Sequence, residues 1–162
     1  MASSTFSKFN QFVEDLGNAL HDFDTDSIKI LLTNTLPNAA DTDVDTVSTP
    51  CIVISISNAV EIAAASGYVK GGAAIATPIW AHTAGTAKFY GVKVTITAAA
   101  SIGPFRYAVV YNNTKGAAAT RPAIGWFDYG SAVTLGIGET FTIGNSFDGT
   151  DWTATYPILT VA

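Results

Sequence analysis

Two histidines, one cysteine and a few carboxylates are the side chains of this chain that could carry chemistry. His21 falls at the end of an apolar-periodic run, where a partly positive imidazole suits the end of a helix dipole. His82 follows Trp80 in a segment that reads as a loop. Two histidines without further ligand spacing do not build a metal site. Cys51, the single cysteine, excludes an internal disulfide framework and a cysteine-based zinc site. No Gly-x-Ser-x-Gly elbow marks a nucleophile. Gly136-Ile137-Gly138 lacks the Lys-Ser/Thr and helix that a phosphate loop requires. Glu61, Asp128 and Glu139 could pair for glycoside hydrolysis, but nothing in their spacing brings them together, and they read as surface acids. Asp41-Thr42-Asp43-Val44-Asp45 reproduces the first three ligand positions of an EF-hand loop. The sixth position holds Thr46 instead of Gly and the twelfth holds Ile52 instead of Glu, so the motif fails. A looser calcium site at a subunit contact is the metal reading that survives. No catalytic residue, no metal and no cofactor is expected, and the chain is read as not an enzyme.

The densest aromatic cluster runs from Phe105 to Tyr129: Phe105, Tyr107, Tyr111, Trp126, Phe127 and Tyr129, with Arg106 and Asp128 inside it. If the two segments are paired strands, Arg106 meets Asp128 across the sheet or stacks on a ring. The cluster is then a packed core with one ion pair. The functional alternative is a carbohydrate-binding platform around Trp126–Tyr129.

These residues must be positioned by a short helix and many strands. Phe9, Phe12, Val13, Leu16 and Leu20 recur as one apolar stripe of helical period, with Ser7 as its cap. The stripe either lies on the chain's own sheet or docks on a neighbour. After Asp26 the period changes from 3.6 to 2. Ile28, Ile30 and Leu32 alternate with Lys29, Leu31 and Thr33, which reads as a strand with one buried face. Residues 34–50 read as a long exposed connection. Ile52, Ile54 and Ile56 form a second alternation, and Val60–Ala64 a third strand. Further strands follow at Tyr90–Ile96, Phe105–Tyr111, Ala123–Asp128, Ala132–Leu135, Thr140–Ile143 and Pro157–Val161, with Gly, Asn and Pro between them. The fold class expected is all-β, an antiparallel β-sandwich of jelly-roll or immunoglobulin-like type with one N-terminal amphipathic helix. Residues 1–26 form a helical arm and 27–162 the sandwich.

The 162 residues carry 8 Lys+Arg against 13 Asp+Glu, a net charge of −5. That balance opposes nucleic-acid binding, which needs a basic face to neutralise phosphates. Residues 1–45 hold eight of the acids and only Lys8 and Lys29 as bases, so the front third is markedly acidic. Charged residues make up 13%, about half the usual ~25%. Much of the surface is therefore neutral Thr, Ser, Ala and Gly, as suits a subunit partly covered in an assembly. No run of about 20 apolar residues spans a membrane. Met1–Thr5 lacks the charged and apolar regions of a secretory signal.

Several segments resemble a family of small structural proteins of tailed bacteriophages: Phe9–Leu16, Ile28–Asn34, Glu61-Ile62, Gly67-Tyr68 and Gly71-Gly72. The resemblance is strongest in Ser101–Asn112 and continues through Ile124–Gly130 and Gly138–Ile143. Ala39–Asn58 stands outside it. The resemblance implies a virion protein, and within that class a capsid decoration (cement) protein on the head exterior, assembled in the host cytoplasm. The partners then expected are the major capsid protein and the chain itself, as a homotrimer on a local threefold axis, with neither nucleic acid nor membrane. The alternatives are a tail, baseplate or fibre-associated protein, or a glycan-binding module on the virion surface. Phe9, Phe12, Val13, Leu16 and Leu20 are the expected subunit or capsid interface. On that expectation, removing residues 1–22 lowers capsid occupancy and leaves the sandwich folded.

Overall fold

The computed structural model describes residues 6–54, 57–145 and 150–161. Ile56, the last residue of the alternation beginning at Ile52, lies outside them. The elements are β1 (Phe6–Lys8), α1 (Gln11–Gly17), β2 (Ile28–Thr33), β3 (Asp43–Asp45), β4 (Ile52–Ile54), β5 (Ala59–Val60), β6 (Ala73–Ala74), β7 (Ile79–Thr83), β8 (Thr86–Tyr90), β9 (Val94–Thr97), β10 (Ile102–Asn112), β11 (Arg121–Leu135), β12 (Thr140–Ile143) and β13 (Leu159–Val161). The chain is all-β and antiparallel, a sandwich-like fold with one short helix.

The main sheet runs β5-β4-β3-β11-β10-β2-β6, with β1 on the same edge of β11 as β3. It curls until its ends meet. Thr33 of β2 bridges Glu61, just past β5, and the Ile62 amide bonds the Leu32 carbonyl at 2.9 Å. The path β2-β10-β11-β3-β4-β5 is thereby a closed ring. Closure leaves no open edge at that seam, which is how small barrels satisfy backbone groups. Side chains that alternate inward fill it: Leu31, Val44, Cys51, Val53, Tyr107, Val109 and Tyr111, with Phe9 and Trp126 among them.

The outward set of β2, β10 and β11 is buried as well. Ile30, Leu32, Ala108, Val110 and Phe127 pack against a second layer built from β8, β9, β12 and β13, contributing Phe89, Ile96, Phe141 and Leu159. The second layer is two small sheets, β12-β9 and β13-β8-β7. β2 is therefore buried on both faces, where alternation predicts one: Leu31 and Thr33 are as inaccessible as Ile30 and Leu32. Gly72 is required where β6 meets β2. Its φ is +69°, and a Cβ there would run into the Ile30 carbonyl.

The N-terminal segment departs most from expectation. Ser7 caps nothing: it lies in β1, paired with Trp126, and Asn10 precedes the helix without a side-chain cap. The helix has 7 residues, so Phe9 and Leu20 fall outside it. At that length a helix persists through packing rather than propensity. Residues 34–50 are not simply a connection, since β3 and the buried Val44 lie within them. Tyr90–Ile96 is two strands, broken at Gly91, which sits hard against Ile75.

Candidate interaction surface

At the seam of the ring one buried carboxyl group organises the chain around it. Glu61 is 3% exposed. Its Oε1 accepts from the Tyr68 hydroxyl and the Gly71 amide, each at 2.7 Å, and its Oε2 from the Cys51 amide at 3.2 Å. The Tyr68 hydroxyl in turn accepts from the Leu32 amide at 2.9 Å, and the Tyr111 hydroxyl donates to the Gly71 carbonyl at 2.7 Å. Such a network is rigid because each buried polar group is committed. It fixes the turn before β4 and the Gly67–Gly72 loop side by side. Lys70 ties them from outside, donating to the Val47 carbonyl at 3.1 Å and the Thr49 hydroxyl at 3.0 Å.

What this frame displays is apolar. Val47 and Val69 are 64% and 67% exposed, and Val60, on β5 opposite Ile52, is 45% exposed. Between the two loops is a cleft of about 160 Å³ lined by Thr49, Pro50, Glu61, Ala63, Ala64 and Lys70. That is below the usual 300–1,000 Å³ of small-molecule sites and suits one inserted side chain. Burial, and then the neighbouring Glu61, pushes the Cys51 thiol up to about 12, so it is protonated at neutral pH and no nucleophile. Burial raises the Tyr68 and Tyr111 hydroxyls too. The chemistry on offer is shape and apolar contact on a fixed frame.

The structure distributes the other sequence candidates elsewhere. Of the expected interface stripe, Phe9 is fully buried against Trp126 (centroids 4.8 Å apart) and Phe12 fully buried in the outer core. Leu16 is partly buried on that core; only Val13 and Leu20 are exposed, at 61% and 37%. The five do not form one accessible face, because the stripe's larger rings are consumed by the chain's own two cores.

His21, expected as a charged helix-end imidazole, is buried and neutral. It stacks on Phe23 at 5.5 Å, and burial lowers its pKa to about 4. Its Nδ1 lies 3.3 Å from the Asn112 amide nitrogen, which also reaches the Leu20 carbonyl at 3.3 Å. Asn112 is oriented unambiguously: its oxygen accepts from the Thr114 and Lys115 amides, and its nitrogen donates to Asp26 at 2.7 Å. His82 stands on the exposed strand β7, which sequence alternation misses because Ile79–Thr83 is exposed along most of its length.

Among the described residues no three of His, Cys, Asp and Glu gather to hold a metal ion. The Asp41–Asp45 carboxyls act as loop caps: Asp41 accepts from the Asn38 and Ser57 amides at 2.8 and 2.7 Å, and Asp45 from the Val47 amide at 2.8 Å. Arg106 and Asp128 do meet, as a two-bond pair at 2.8 and 2.9 Å, with the guanidinium over Tyr107. Glu139 is engaged separately, by the Gly136 amide. The aromatic cluster divides between the two cores, and an irregularity in the β10–β11 register between Phe105 and Tyr107 puts these two residues, which share parity, on opposite faces. Tyr107, Tyr111 and Trp126 enter the ring, and Phe105 and Phe127 the outer core. With Trp126 and Phe127 only 9% and 6% exposed, Trp126–Tyr129 is not an open sugar platform.

No helix among the described residues is long and apolar enough to cross a membrane. No family model, curated protein or solved structure matches the chain. Glu61, expected from the sequence as a surface acid, is instead buried at the seam, because the ring closes on it and its carboxylate accepts from the Cys51 and Gly71 amides and the Tyr68 hydroxyl. A lone acid between Val60 and Ile62 gives no sign of that closure.

Proposed function

We propose that this chain is a structural protein of a tailed-bacteriophage virion, a capsid decoration protein that works by adhesion and catalyses no reaction. The observation that carries this reading is the Glu61-pinned end, where Lys70 ties together the loops that expose Val47 and Val69 and lines a side-chain-sized cleft with Thr49 and Pro50. Exposed apolar side chains rimmed by polar groups are a mark of protein contact surfaces. A rigid frame limits the entropy lost on docking. The low content of charge and the sequence segments that resemble phage virion proteins support the same reading.

In this account the partner is the major capsid protein, and copies cluster as trimers on a local threefold axis of the head exterior. Each copy bridges shell subunits, so opening the shell also breaks its contacts, and clustering adds avidity without new contacts.

The test is head loading. Heads assembled without this chain are mixed with wild type or with the double variant Val47→Asp/Val69→Asp and sedimented. Both valines are exposed, so the variant should fold with stability within about 0.5 kcal/mol of wild type. Loading should weaken by at least about tenfold, equivalent to ~1.4 kcal/mol, because two carboxylates would be desolvated at the contact. Unchanged loading would remove this surface from the account.

A further inference from the structure

The connection from β11 to β12 is a pinned tip. The Gly138 amide donates to the Ala98 carbonyl at 2.7 Å, and the Glu139 amide to the Gly136 carbonyl at 3.1 Å. The Glu139 carboxylate turns back to accept from the Gly136 amide at 2.6 Å. Held between them is Ile137, 80% exposed, the most exposed large apolar side chain among the described residues. Single exposed aliphatics are ordinary on a protein surface. This one is fixed at a tip, so burying it against a partner costs little ordering entropy.

The cleft at the ring seam is its counterpart in size and charge. Its volume of about 160 Å³ is close to the roughly 150 Å³ that holds a benzene molecule, so the four carbons of an isoleucine side chain fit. Pro50, Ala63 and Ala64 give it apolar walls. Lys70 lines it too; its bonds run to the neutral Val47 and Thr49 oxygens, and among the described residues it forms no ion pair. Glu139 brings a carboxylate to the base of the tip, where it would meet that ammonium group as Ile137 enters. Tip and cleft share one side of the molecule. Ala98 holds Gly138, and the next two amides, of Ala99 and Ala100, donate to the carbonyl of Ser66, two residues past Ala64. Ile137 is not seated in its own cleft, since it stands exposed and is not among the lining residues.

We propose that Ile137 of one copy inserts into the Pro50-Ala63-Ala64 cleft of a second copy, with Glu139 against the partner's Lys70. Each copy then gives one side chain and receives one, a head-to-tail contact that makes a ring where the rotation closes. For its ring size of three the inference rests on the trimer of the proposed function. Val47 and Val69 do not line the cleft, so they stay available to the shell.

The experiment measures the mass of the purified full chain by sedimentation equilibrium, with no capsid present. At about 0.1 mM, above the Kd of order 10 µM that a small interface supports, wild type should be mostly trimeric. Ile137→Lys removes the inserted side chain, and Ala64→Arg blocks the cleft. Both positions are exposed, so each variant should melt as wild type does. Each should weaken association at least about tenfold, equivalent to ~1.4 kcal/mol. Mixing the two variants should restore pairs and nothing larger, because a mixed pair holds one intact Ile137 and one open cleft. Wild type running as a single chain would overturn the proposal. So would association that survives either variant, or a mixture that stays as single chains. The two readings fail separately: rings that never load heads would sink the decoration reading alone, and single chains that load heads would sink this contact alone.

Discussion

Phe12→Ala is expected to destabilise the chain by about 3–5 kcal/mol, while Val13→Ala one residue later costs under about 0.5 kcal/mol. The contrast follows from where the two side chains go. Phe12 is fully buried, with its ring 5.2 Å from His21 and 6.2 Å from Phe23. Phe23 continues the stack to Phe89 at 4.4 Å and Trp80 at 5.1 Å. Emptying the Phe12 site leaves a cavity between the helix and the second layer, and a helix of 7 residues cannot hold its position without that contact. Val13 points away, 61% exposed. Urea unfolding midpoints of the two variants test this. For the same reason the structure revises the expected outcome of removing residues 1–22. The deletion takes away β1, paired with Gly125–Phe127, together with Phe9 and Phe12 from two cores. It should unfold the domain rather than merely unload it from heads. Equal midpoints for Phe12→Ala and wild type would show that the N-terminal segment is not part of the core.

Acid should loosen the same region. His21 is charged with a pKa near 6.5 in an unfolded chain and near 4 in the folded one, because burial disfavours the imidazolium. Between those values the unfolded state binds the extra proton and the folded state does not. Stability is therefore full above pH 6.5, falls as pH drops toward 4, and changes no further from this group below that. The loss from His21 alone is about 3 kcal/mol, from a depression of roughly 2.5 units at 1.36 kcal/mol each.

The surroundings modulate this. Asp26 favours the imidazolium, and Lys115, 3.6 Å from Asp26, neutralises part of that help. Asp15 Oδ2 lies 4.0 Å from His21 Nε2, and burial raises the Asp15 carboxyl above its ordinary value. Asp15 therefore holds a proton more readily in the folded chain than in the unfolded one, which offsets part of the loss as acid is added. Asp128 works the other way. Arg106 holds it below its ordinary value, so its contribution is lost only as pH falls below about 3.8. Unfolding free energies measured from pH 7 to 4 should decline for wild type, and His21→Gln should flatten that decline. A wild-type profile flat across the window would contradict the buried neutral imidazole.

Strand parity made much of the fold readable. β10 and β12 lie where alternation puts them, and Arg106 meets Asp128 as adjacent-strand placement predicts. What escaped has identifiable causes. β3 is three residues, Asp43-Val44-Asp45, whose one core contact is a single valine inside a polar run. Both faces of β2 are buried because a ring lies on one side and a second layer on the other, and a single strand's pattern does not reveal two cores. The helical stripe was periodic, but periodicity says that a face is apolar and not whose surface covers it. The candidate surface depended on a long-range event, the meeting of Glu61 with Thr33, which brings together the loops around Val47 and Val69. No local spacing encodes that meeting.

If the chain decorates a phage head, as proposed, a density map of the purified particle will show trimeric density outside the shell at local threefold positions, into which this fold fits with Val47, Pro50 and Val69 against the major capsid protein. Density along the tail, or particles complete without this chain, would contradict it.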